Sequence, residues 1–162
     1  MGLRDSDADV RSRTKVEKSD RELVVTRSFD APARILFEAW TKPELFMRWW
    51  APKSMGMPLY SCEMDVRVGG KYRIEFGHDA ANTWAFFGQY IEVIPNARIV
   101  WTNEEGEDGA VTTVTFEEVD GKTLLTFSEL YPSKEAFEEG GGILPEQLDQ
   151  LDELLASLTG DQ

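Results

Sequence analysis

Cysteine and histidine are nearly absent from this chain of 162 residues, which holds one of each, Cys62 and His78. A lone cysteine forms no internal disulfide, and two such side chains assemble none of the usual thiolate and imidazole zinc sites. No metal or other cofactor is implied, and a reducing compartment, the cytoplasm, fits. Basic charge is scarce too: 17 Lys and Arg stand against 30 Asp and Glu, a formal charge of −13. Nucleic-acid backbones and anionic membranes bind basic faces through counterion release, so neither is expected as a partner. Nor is there an apolar run of the ~18 residues that a membrane helix needs, or the apolar segment of a signal peptide. The opening MGLRDS fits the loose myristoylation pattern, a match short enough to be coincidence. No nucleophile adjoins a base, and Gly140 to Gly142 lack the lysine and preceding strand of a phosphate loop.

What is present points to one domain, since 41% of the residues are hydrophobic in a chain of this length. Residues 1–20 are almost wholly polar, with balanced charge and no periodicity, and read as a disordered tail ahead of a domain at 21–158. RELVVTRSF is a strand pattern. DAP then starts a helix, with Pro32 in its first turn and Ile35, Leu36, Phe37 and Trp40 on its apolar side. A second short helix, PELFMRWW, runs from Pro43 and stops before Pro52. Trp49 and Trp50 end it side by side. Neighbours on a helix diverge by roughly 100°, so one core cannot take both indoles, and the second needs a ligand cavity, a partner or another apolar compartment.

Six strands follow in series. LYSCEMDVRV and KYRIEFGH flank Gly69-Gly70, TWAFFGQYIEVI runs to Pro95-Asn96, RIVWTN precedes an acidic turn, and AVTTVTFEEV joins TLLTFSEL through Asp120-Gly121. Sequential strands with tight turns predict an antiparallel meander. Ser133 is placed to cap KEAFEE. After the glycines, Pro145 opens EQLDQLDELLASL, whose Leu148, Leu151, Leu155 and Leu158 form a stripe that a sheet can cover.

Five stretches carry a family resemblance, in order along the chain: FDAPARILFEAWTKPELFMRWWAPK, EMDVRVGGKYRIEF, GQYIEVIPNARIVWTN, TVTFEEVDGKTLLTF and YPSKEAF. Together they resemble the family named after the activator of the Hsp90 ATPase, within the START and Bet v 1-like (SRPBCC) superfamily. The resemblance implies an α+β helix-grip fold: a curved antiparallel sheet wrapped around a long C-terminal helix, with two short helices after the first strand. Two departures stand out. Ala51 occupies the place where the family usually has glycine, and EEGGGILPEQ replaces a more regular helical stretch. The co-chaperone's additional N-terminal domain has no counterpart here beyond the short polar tail, so an Hsp90 partner is not expected.

Alternation assigns an inward face, and with it candidate ligand-binding residues: Tyr72, Ile74, Phe76, His78, Phe87, Gln89, Ile91, Trp101, Phe127 and Glu129; of the tryptophan pair at the end of the second helix, Trp50 is placed on the cavity side. Large apolar side chains at such positions ordinarily fill a core. The polar members, His78, Gln89 and Glu129, share the parity of apolar neighbours and so must pair or meet a ligand or water. Three readings follow. The first is a binding protein for a small hydrophobic or aromatic molecule, and no residue is assigned a catalytic role in it. The second is a cavity enzyme of the superfamily's aromatase and cyclase type, with Glu129 or His78 as acid or base. The third is a protein-interaction module using the acidic surface. Trp84, Phe86 and Tyr90, on the opposite parity, would give the outer face an apolar patch suited to a homodimer.

Overall fold

The computed structural model describes residues 15–51, 53–56, 58–104, 110–131, 133 and 145–160. KEAFEE, the three glycines and most of the acidic turn lie outside them. Eight strands form one antiparallel sheet: β1 (Lys15–Lys18), β2 (Glu22–Phe29), β3 (Leu59–Met64), β4 (Lys71–Gly77), β5 (Thr83–Ile94), β6 (Arg98–Thr102), β7 (Val111–Val119) and β8 (Lys122–Leu130). Their order is β1-β2-β8-β7-β6-β5-β4-β3. The meander from β3 to β8 is therefore extended by the N-terminal strands, β2 docking on β8 and β1 on β2. Helices α1 (Ala33–Thr41) and α2 (Pro43–Phe46) connect β2 to β3, a 3-10 turn at Lys53–Met55 follows, and α3 (Pro145–Gly160) ends the domain. This is the helix-grip arrangement.

Local sequence accounts for most of these elements. Asp120 and Gly121 take positive φ, 55° and 80°, and so form the tight two-residue hairpin between β7 and β8. Asn96 does the same work between β5 and β6 at φ 63°. These are the only non-glycine positions of positive φ, Asp120 and Asn96, among the described residues, so Ala51 sits in ordinary backbone and needs no glycine. Pro32 is the N-cap of α1 and has no side chain to offer; the Glu118 carboxylate on β7 accepts from the Ala33 N–H instead, at 2.8 Å.

Two sequence expectations change here. Lys15–Lys18, assigned to the disordered tail, pairs with β2 as an exposed edge strand. Backbone pairing alone supports it, which apolar periodicity cannot report. The helix expected to continue to Trp50 ends at Phe46, and Met47 to Trp50 form turns.

The core lies between the sheet's inner face and the helices. Leu148, Leu151, Leu154 and Leu155 of α3 bury against Val25, Phe29, Val114, Leu125 and Phe127, with Leu158 packed at the margin. Arg27 points to the same side and is itself buried; it donates to Asp149 at 2.5 Å and lies 3.3 Å from Asp152, both on α3, with its guanidinium over the Phe29 ring. That latch fixes one flank of α3 to β2.

Candidate functional site

Strand register arranges the inner face in rows. Leu23, Glu129, Thr112, Trp101 and Tyr90 stand opposite one another across β2, β8, β7, β6 and β5. The next row, Val25, Phe127, Val114, Ile99 and Val93, is wholly apolar. Paired residues of an antiparallel sheet point to the same face, so the first row places a carboxylate and a hydroxyl beside a tryptophan and a tyrosine in an otherwise greasy interior.

A ladder of hydrogen bonds extends along that row. The Tyr131 hydroxyl donates to Glu129 Oε1 at 2.8 Å and the Thr112 hydroxyl to Glu129 Oε2 at 3.0 Å. Asn103 Nδ2 donates to Thr112 Oγ1 at 2.9 Å and to the Ala110 carbonyl at 2.8 Å. At the far end the Tyr72 hydroxyl donates to the Thr102 carbonyl at 2.8 Å and lies 3.3 Å from Asn103 Oδ1. Thr112, Tyr72 and Tyr131 are buried while Glu129 and Asn103 are half-buried, so the ladder runs along the edge of the interior. Gly88 makes the Tyr72 end feasible. A Cβ there would lie 1.9 Å from the Thr102 carbonyl oxygen that Tyr72 uses.

Facing the ladder is an aromatic cluster centred on Trp40 of α1. Its ring centroid lies 4.8 Å from Trp49, 5.8 Å from Trp50, 6.0 Å from Trp101 and 6.2 Å from Phe127. Trp101 in turn meets Tyr72 at 6.4 Å, and Tyr72 meets Tyr90 at 5.7 Å. The paired tryptophans have different destinations. Trp49 is fully buried, its indole N–H donating to the Ala39 carbonyl at 3.0 Å, whereas Trp50 stacks on Phe46 at 4.8 Å and stays half-buried.

Because the helix stops at Phe46, the carbonyls of Trp49, Trp50 and Ala51 receive no further helical bonds, and α3 supplies the donors. Gln150 Nε2 donates to Trp49 O at 2.8 Å and to Ala51 O at 2.9 Å, while its Oε1 accepts from the Lys53 N–H at 2.9 Å. Gln147 Nε2 reaches Trp50 O at 2.6 Å, and Glu146 accepts from Ser54. Two glutamines thus hold the tryptophan turn against the helix.

The sheet end toward β3 is less covered. Cys62, Met64 and Val66 are half-buried on the inner side, and Phe86, against the buried Phe76 ring at 5.5 Å, is 37% exposed. Burial, with the charge of Glu63 second, pushes the Cys62 thiol up to about 12, and burial raises the Tyr90 phenol as well. Neither group is a nucleophile at ordinary pH. Among the described residues no cluster of three His, Cys, Asp or Glu could hold a metal.

The family model of the activator of Hsp90 ATPase homolog 1-like proteins matches residues 30–156. The chain belongs to that family. Solved structures of the same fold include a Rhodobacter sphaeroides protein, 24% identical with a TM-score of 0.79 over 90% of this chain and 99% of that one. A Nitrosomonas europaea protein is 20% identical with a TM-score of 0.75 over 89% and 99%. A Staphylococcus epidermidis protein is 26% identical with a TM-score of 0.70 over 89% and 94%. Among curated proteins none matches. No helix among the described residues is long and apolar enough to cross a membrane.

In this family member the inner face collects Tyr72, Ile74, Phe76, Trp101, Phe127 and Glu129 from the sequence-based candidates, and Trp50 packs against the same core from the tryptophan turn. Four others lie elsewhere. Phe87 and Gln89 pair with Arg73 and Lys71 on the outer face, and Ile91, at the break in register between Tyr90 and Glu92, is 45% exposed. Both parities of β5 are apolar, so alternation could not select the inner one. The Arg73 guanidinium lies over the Phe87 ring, which shows where that ring points. His78 follows the end of β4 and is exposed. Conversely Phe86 and Tyr90, expected outside, turn inward, so they supply no outer patch for a homodimer. The side chain of Trp84 lies outside the described ones.

Sequence reasoning missed Trp40, Asn103, Thr112 and Tyr131 as site residues. Thr112 shares parity with Val114 and Phe116, a legible signal. Asn103 and Tyr131 lie just past strand ends, where parity has no force.

Proposed function

We propose that this protein binds a small, largely apolar or aromatic molecule between the inner face of the sheet and the lid formed by the tryptophan turn and α3. The observation that carries the reading is the polar row of Glu129 and Thr112 set beside half-buried Trp101, whose ring meets Trp40 as does that of half-buried Trp50. Ligand sites combine such an apolar lining with a few placed polar groups. The ladder through Tyr131, Asn103 and Tyr72 fixes those groups in position, which reduces the ordering cost of binding. The molecule's flat body lies against Trp50 and Trp101, and its polar end meets Glu129. This reading invokes no cofactor, nucleic acid, membrane or Hsp90 partner, and it suits a cytoplasmic protein. Acid or base chemistry, the second reading, would fall to Glu129 alone, since His78 is exposed beyond the end of β4.

Thermal unfolding with a panel of flat aromatic alcohols and medium-chain fatty acids tests the proposal. A ligand at 100 times its Kd adds about 2.7 kcal/mol, or roughly 5–10 °C for a chain of this size. Glu129→Gln should weaken binding of the aromatic alcohols about tenfold and leave hydrocarbon probes unaffected. The absence of any shift across the panel would remove the binding reading.

A further inference from the structure

Trp40 holds a polar atom without a partner. Its side chain is 2% exposed, and its Nε1 makes no hydrogen bond, whereas Trp49 in the same cluster donates to a backbone carbonyl. Buried donors are nearly always satisfied, and one that is not calls for an explanation in strain, an unseen water or a ligand. Two of the rings around Trp40, those of Trp50 and Trp101, are only half-buried, and they come from opposite walls, the lid and the sheet. Both rings meet Trp40, so a molecule seated against the pair would lie beside the Trp40 indole.

We infer that Trp40 Nε1 is the donor that recognises an oxygen acceptor on the bound molecule, and that this acceptor is a neutral carbonyl. A carboxylate or phosphate would enter a chain of formal charge −13 and lie in the same interior as the Glu129 carboxylate, both unfavourable. A ketone, ester or amide oxygen satisfies the indole N–H without that repulsion. The site then reads two features at once, a carbonyl at Trp40 and a donor at Glu129, so its ligand class is aromatic carbonyl compounds instead of plain hydrocarbons or fatty acids. The inference rests on the binding reading above.

The test compares 2-acetylnaphthalene with 2-isopropylnaphthalene, two probes of nearly equal shape of which only the first carries an acceptor. With the full chain labelled with 15N, five indole N–H signals are available, one per tryptophan. The Trp40 signal, identified by its contacts to the Trp49 and Trp101 rings, should move downfield with the ketone and not with the hydrocarbon. Trp40→Phe should lower the affinity for the ketone about fivefold relative to that for the hydrocarbon, the worth of one net hydrogen bond. If that variant fails to fold, the signal of the unaltered protein decides. Binding of both probes with an unmoved Trp40 signal overturns this inference and leaves the binding reading standing; binding of neither overturns both.

Discussion

Replacing Gln150 by leucine keeps the volume of the side chain and removes three hydrogen bonds to the backbone of the tryptophan turn. Gln150 is 7% exposed, and its amide alone serves Trp49 O, Ala51 O and the Lys53 N–H. Each such bond contributes about 0.5–1.5 kcal/mol net, and a group left buried without a partner costs about 1–3 kcal/mol. The turn lies at the rim of the interior and can open to hydrate the freed groups, which limits the total. The expected loss is about 2–4 kcal/mol, a fall in Tm of roughly 6–12 °C. Urea unfolding followed by tryptophan fluorescence gives the stability, and amide exchange at Lys53 reports whether the turn has come loose. Gln150→Glu sharpens the test. The carboxylate keeps an acceptor for Lys53 but repels the carbonyls of Trp49 and Ala51, so its folded pKa is raised and the variant gains stability as pH falls, when a protonated carboxyl can donate once. A Gln150→Leu loss below about 0.5 kcal/mol with unchanged exchange at Lys53 would refute the idea that this amide holds the lid.

Two further outcomes follow from the inner face. Gly88→Ala drives a Cβ into the Thr102 carbonyl, so it should cost about 3 kcal/mol by overpacking, with β5 and β6 forced apart and the Tyr72 bond lost; a near-neutral effect in urea unfolding would show that the strands have slack. Burial holds the Cys62 thiol near 12, so a disulfide reagent at pH 8 should react only on unfolding. The same shift predicts that stability declines as pH rises from about 9 toward 12, because the unfolded thiol ionises first; Cys62→Ala should flatten that decline, and rapid modification of the folded protein at pH 8 would contradict the placement.

The sequence by itself determined the hairpin at Asp120-Gly121, the inward parity of β4, β7 and β8, the leucine stripe of α3 and the need to send Trp49 and Trp50 to different places. Each of these is a local signal: a turn that demands positive φ, or an alternation with one wet side. Tertiary structure alone decided the phase of β5, where Phe86 and Phe87 are equally apolar and the pairing of Tyr72 with Gly88 chooses between them. It also joined Tyr72, Asn103, Thr112, Glu129 and Tyr131 into one ladder and brought Gln150 to the tryptophan turn. Apart from the Glu129–Tyr131 bond, these join groups on different elements and leave no periodicity to read. They exist only once packing has brought the strands and the last helix together.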